Sequence, residues 1–81
     1  MFESVIDIDL HGRNAFQAKI AIDAALRRAG AATCRIRIVH GYNSGTALMD
    51  FVREEYARHP KVRRISAGIN RGVTELILRE Y

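Results

Sequence analysis

Two alternating segments, each followed by one capped helical segment, constrain this chain more than anything else in it. Ile6, Ile8 and Leu10 alternate with Asp7, Asp9 and His11, and residues 34–39, Cys-Arg-Ile-Arg-Ile-Val, alternate again. Each reads as a strand with one apolar and one polar face. After the first strand, residues 5–10, Gly12 allows a sharp turn and Asn14 is placed to cap a helix running to about Ala29. Ala18, Ile22, Ala25, Leu26 and Ala29 form its stripe, Phe16 and Ile20 widen it, and Gly30 stops it. After the second strand, Ser44 or Thr46 can cap a second helix running to about Arg58. Leu48, Phe51, Val52 and Tyr56 give its buried face, and Pro60 ends it. Residues 62–66 and 73–79 read as strands joined by a hairpin loop, Ala67 to Gly72. In the last strand, Thr74, Leu76 and Leu78 share one face and Glu75, Ile77 and Arg79 the other.

The order is βαβαββ. A helical crossover returns the chain to a parallel strand, so the first three strands run the same way; the hairpin turns the fourth antiparallel. Crossovers of one hand put both helices on one face. The expected fold is therefore α/β in the α+β sense: a two-layer sandwich, a four-stranded mixed sheet with its last strand antiparallel, helices on one face and an open face opposite. Residues 1–81 fit one domain with a modest core. No apolar run approaches a membrane span and no secretory pattern opens the sequence, so a cytoplasmic location without membrane partners is expected. Cys34, the lone cysteine, begins a buried strand and reads as core.

The topology gathers chemistry at one rim. Three parallel strands exit at the same edge, where ligands bind in such sheets. His11-Gly12-Arg13, the loop His40 to Gly45 and the hairpin with Arg71 meet there, next to helix N-termini whose unpaired amides favour anions. No comparable group is expected at the opposite edge. The net charge of +4 comes mostly from arginine, eleven against two lysines, and the arginine fork grips phosphate with paired hydrogen bonds. Gly12, Arg13, His40, Gly41, Tyr42, Gly45 and Arg71 are the candidate phosphate- and nucleic-acid-binding residues, with Tyr42 either stacking on a base or packed on its loop. His11 is the candidate acid–base group, since imidazole exchanges protons near neutral pH. Asp9, two residues earlier on the same side of the strand, can orient it or pair with arginine on the neighbouring strand. Asp7 is expected to pair with Arg35 or Arg37. No Cys/His cluster suggests zinc, so no metal ligand is assigned; a weakly held Mg2+ that keeps most of its water is compatible with the acidic strand.

Three motifs carry a family resemblance. Asp9-Leu10-His11-Gly12 resembles the Asp-Leu-His-Gly signature opening the Smr (small MutS-related) domain. His40-Gly41-Tyr42-Asn43-Ser44-Gly45 resembles its glycine-rich His/Thr-Gly loop, with three residues between the glycines where His/Thr-Gly-x-Gly is commoner. Gly68 to Thr74 is similar to its Gly-x-x-x-Gly turn before the last strand. The resemblance spans about Ile6 to Leu78. It implies the fold of the C-terminal domain of translation initiation factor three, in a small stand-alone bacterial member. It also implies nucleic-acid binding with nicking endonuclease or endoribonuclease activity, with cleavage tied to Asp9 and His11. The expected partner is nucleic acid, RNA ahead of branched DNA, with ribosome association as a further implication. The alternative is a binding module for nucleic acid or the ribosome that does not cleave.

Overall fold

The computed structural model describes residues 4–41, 47–68 and 72–79. Within them the order is β1 (Ser4–Asp9), α1 (Ala15–Arg28), β2 (Thr33–Val39), α2 (Ala47–Tyr56), β3 (Arg64–Ser66) and β4 (Val73–Ile77). The expected βαβαββ order and the mixed sheet are both present. Tyr42, Gly45, Arg71 and the expected caps Ser44 and Thr46 lie outside the described residues.

The strands are ordered β1-β2-β4-β3. β1 pairs parallel to β2, while β4 pairs antiparallel to both β2 and β3. The crossover through α2 skips one position, and β4 fills the gap. β1, β2 and β3 therefore run in one direction.

Register sorts the two faces row by row. Ile6 partners Ile36, Ile36 partners Leu76, and Leu76 partners Ile65, which lays an apolar row across all the strands. Ala18, Ile22, Ala25 and Leu26 of α1 and Val52 and Tyr56 of α2 close over that face. Burial of such side chains is the main stabilising term, roughly 1.5–3 kcal/mol for each large aliphatic one. The helices are also clasped to each other. Lys19 reaches Asp23 at 3.2 Å and Glu55 at 3.0 Å, and the Tyr56 hydroxyl donates to Asp23 Oδ1 at 2.7 Å. Burial raises the Asp23 carboxyl, but the bonds from Tyr56 and Lys19 outweigh it and hold the group below its usual value. Burial, then the Asp23 contact, pushes the Tyr56 phenol well above its ordinary range.

α1 starts where its cap dictates. The Asn14 side chain accepts from the Gln17 amide at 2.8 Å, and the Gln17 side chain accepts from the Asn14 amide at 3.1 Å. This reciprocal capping box satisfies two otherwise orphaned donors. The stripe of α1 is narrower than its sequence suggests. Phe16 is 73% exposed and Ile20 is 56% exposed, so neither widens the core. An α-helix turns about 100° per residue, which sets both roughly 200° from Ala18, on the far side.

The other sheet face is less open than expected. Asp7, Arg37 and Glu75 stand in one cross-strand row. Arg37 meets Asp7 at 3.5 Å, as anticipated, and its Nε lies 3.8 Å from Glu75. Arg35 donates to Glu75 at 3.0 Å. The two guanidinium groups leave Glu75 only 5% exposed. Cys34 is buried, with its thiol 3.7 Å from the Ala32 carbonyl.

Candidate functional site

Backbone bonds draw the strand exits together. The Leu10 amide donates to the Val39 carbonyl at 2.7 Å, tying the end of β1 to that of β2. The amides of His40 and Gly41 both donate to the Gly72 carbonyl, at 2.9 and 3.0 Å, tying β2's exit to the start of β4. A β-carbon on Gly41 would sit 3.6 Å from the His11 Cβ, so the first and second loops touch.

The first loop is a tight turn. The Arg13 amide donates to the Leu10 carbonyl at 3.0 Å, and Gly12 at its third position has φ +76°. That conformation favours glycine. The turn lifts His11 clear of the sheet and delivers the chain to the Asn14 cap. With Gln17 capped by Asn14, the amides of Ala15 and Phe16 are left as donors at the same rim.

Asp9 fixes His11. His11 Nδ1 lies 2.5 Å from Asp9 Oδ1, and the His11 backbone amide donates to the same oxygen at 3.2 Å. A carboxylate only accepts, so Nδ1 carries the proton and Nε2 is left for an outside partner. The side-chain bond from His11, then its backbone bond, hold the Asp9 carboxyl below its usual value of 3.8. The imidazole is 74% exposed, so its free nitrogen is open to a large substrate. Arg13 adds a positive field beside this pair.

His40 plays a different part. It is 4% exposed, its Nδ1 lies 2.7 Å from the Gly41 carbonyl and its Nε2 2.8 Å from Thr74 Oγ1. The carbonyl can only accept, so Nδ1 donates to it and Nε2 accepts from the hydroxyl. Both ring nitrogens are used within the protein. His40 pins Gly41 to β4, and its ring does not face the rim. Thr74 is the partner that local pattern does not reveal, because it arrives from a strand 34 residues away.

Of the expected rim residues, the described ones, Asp9, His11, Gly12, Arg13 and Gly41, stand together, with His40 behind them. Asp7, Asp9 and His11 do not share a ligand site: Asp7 turns to Arg37 and Asp9 to His11. Among the described residues no three His, Cys, Asp or Glu side chains come together as a metal site. The opposite edge is not bare. An open groove of about 620 Å3 lies there, with Lys61, Arg63 and Arg79 in its lining. Lys61 uses its ammonium to bond the Leu26 carbonyl at 2.7 Å, at the C-terminal end of α1.

The Smr domain family model matches residues 8–76. The chain belongs to the Smr family. Among solved structures, the crystal structure of the Smr domain of Thermus thermophilus MutS2 superposes with a TM-score of 0.81 at 29% identity, covering 93% of this chain and 99% of that one. No curated protein matches the sequence. Smr domains are nucleic-acid-binding, nuclease-like domains, and the match spans the whole rim from the Asp9–His11 turn to β4. Among the described residues no helix is long and apolar enough to cross a membrane.

Proposed function

We propose that this Smr domain binds RNA across the rim and cleaves its backbone, with His11 as the proton carrier. The observation that carries the reading is the Asp9–His11 pair: an exposed imidazole held by a carboxylate, with Nε2 free and Arg13 and helix amides alongside.

Each part has a physical role. Arg13 and the amides of Ala15 and Phe16 hold a phosphate where the α1 dipole is positive. Arg71, Gly45 and Tyr42 are proposed to extend this hold. Nε2 of His11 takes the proton from a ribose 2′-hydroxyl. The 2′-oxygen attacks the adjacent phosphorus, the bond to the 5′-oxygen breaks, and that oxygen takes a proton from solvent. The products end in a 2′,3′-cyclic phosphate and a 5′-hydroxyl. Asp9 keeps the ring in the tautomer this needs and offsets the charge the ring acquires. Arg13 compensates charge building on the phosphorus oxygens. RNA is favoured because it brings its own nucleophile, so one positioned imidazole is enough to start the reaction. His40 acts as a positioning residue, through Gly41.

The test is cleavage of end-labelled single-stranded RNA, structured RNA and branched DNA, with and without EDTA. One RNA carries a single 2′-deoxy nucleotide at the cleaved position. Expected are cyclic-phosphate products, persistence in EDTA, and loss of cleavage at the 2′-deoxy site. Cleavage of the 2′-deoxy or DNA substrates with hydrolytic ends would refute the 2′-hydroxyl route. Tight binding without product would leave a non-cleaving module as the function.

A further inference from the structure

Phe16 and Ile20 are the only large hydrophobic side chains strongly exposed among the described residues, and they lie one turn apart on α1. Neither belongs to the core, and the aromatic contacts of the fold, Phe51 with Tyr56 and Tyr56 with His59, leave Phe16 out. Their position gives them a use. Phe16 is the second residue of α1, two past the Asn14 cap and three past Arg13. Three residues span at most about 11 Å. Side chains on a helix lean toward its N-terminus, so the ring inclines toward the rim.

We infer that Phe16, floored by Ile20, is a stacking platform for an unpaired base of the nucleotide adjoining the phosphate held at Arg13. The inference rests on the nucleic-acid reading of the rim and deepens it to a strand with splayed bases. Two observations select this occupant. The patch begins three residues after Arg13, at the start of α1, on a chain of net charge +4, which suits a polyanion. Two partly exposed side chains offer on the order of 200–300 Å2, against roughly 800 Å2 per partner in a stable protein interface. A base presents a flat π-face of the right size, and stacking on an aromatic ring tolerates any base.

The test uses the whole chain with three probes: oligouridylate, a blunt RNA duplex and inorganic polyphosphate, which has phosphates without bases. The sequence contains no tryptophan, so the Phe16→Trp variant reports through a single tryptophan, excited at wavelengths that its three tyrosines do not absorb. Oligouridylate should quench it, and polyphosphate should bind without quenching. Phe16→Ala should weaken oligouridylate binding roughly 5- to 150-fold, leave polyphosphate and duplex binding unchanged, and be rescued by Phe16→Tyr. Because the ring is exposed, the Phe16→Ala fold should melt as wild type does, which circular dichroism checks. Less than a fivefold loss in Phe16→Ala, with Arg13→Ala still weakening oligouridylate, would overturn stacking and leave the rim reading standing. No binding of any nucleic acid by the wild type would overturn both. Conversion of a dimer to a monomer by Phe16→Ala would show the patch to be a self-interface and would also overturn stacking.

Discussion

Gly12 and Gly68 have nearly the same backbone angle, φ +76° and +74°, in very different surroundings. Replacing each by alanine therefore separates conformational strain from steric conflict. The left-handed conformation costs a residue with a β-carbon roughly 1–2 kcal/mol at either site. At Gly12 nothing lies within 4 Å of the added carbon, so that cost is the whole effect. At Gly68 the carbon would meet Val73 Cγ1 at 3.0 Å, the Val73 carbonyl oxygen at 3.1 Å and Val73 Cβ at 3.2 Å. Val73 opens β4 and is paired with Val39, so its backbone cannot retreat without loosening the ladder. Overpacking of this kind adds about 1–3 kcal/mol. Gly12→Ala should thus lose about 1–2 kcal/mol and Gly68→Ala about 2–5. Urea unfolding with an unchanged m-value measures both. In a domain of this size each kcal/mol moves Tm by roughly 4–8 °C. Losses equal within about 0.5 kcal/mol would refute the steric part of the reasoning.

Asn14→Ala removes one half of the capping box and should cost about 0.5–2 kcal/mol in urea unfolding, with Asn14→Asp close to wild type. Tyr56→Phe removes the bond to Asp23 and should cost about 1–2 kcal/mol, since a bond to a charged group is worth more than a neutral one but Asp23 is part-solvated; the Asp23 carboxyl should then titrate higher by NMR. Asp9 has a lowered folded-state pKa, so its clasp on His11 is present above the usual carboxylate value and lost as pH falls through the depressed one. Carboxyl NMR should show Asp9 titrating below 3.8, and the His11→Ala variant should return it toward that value.

Much of the fold was legible because its signals are local. Alternation marked β1 and β2, and Asn14 marked the start of α1. The Asp7–Arg37 pair followed from neighbouring strands of opposite charge pattern. What was missed depends on partners distant in sequence. The insertion of β4 between β2 and β3 brings Glu75 beside Arg35 and Arg37, and nothing local to Glu75 announces that. His40 reads as a polar loop residue, and only Thr74, delivered by the same pairing, makes it a buried brace. Hydrophobicity alone puts Phe16 and Ile20 in the core, whereas the helical angle from Ala18 sets them opposite it. The groove lined by Lys61, Arg63 and Arg79 brings two separate segments, residues 60–63 and 78–79, against the α1–β2 turn. Of the candidate site, the two-residue spacing of Asp9 and His11 allows them to meet but equally allows Asp9 to pair with an arginine; the tight turn after β1 brings the imidazole onto the Asp9 carboxylate.

The central claim is that His11, held by Asp9, moves the proton in backbone cleavage. Single-turnover cleavage of RNA by wild type, Asp9→Asn and His11→Ala, purified in parallel, tests it most directly. His11→Ala should lose at least about a hundredfold in rate, the usual worth of acid–base help, while still binding RNA. Asp9→Asn should fall between the two. Equal rates for wild type and His11→Ala would show that His11 moves no proton in the reaction.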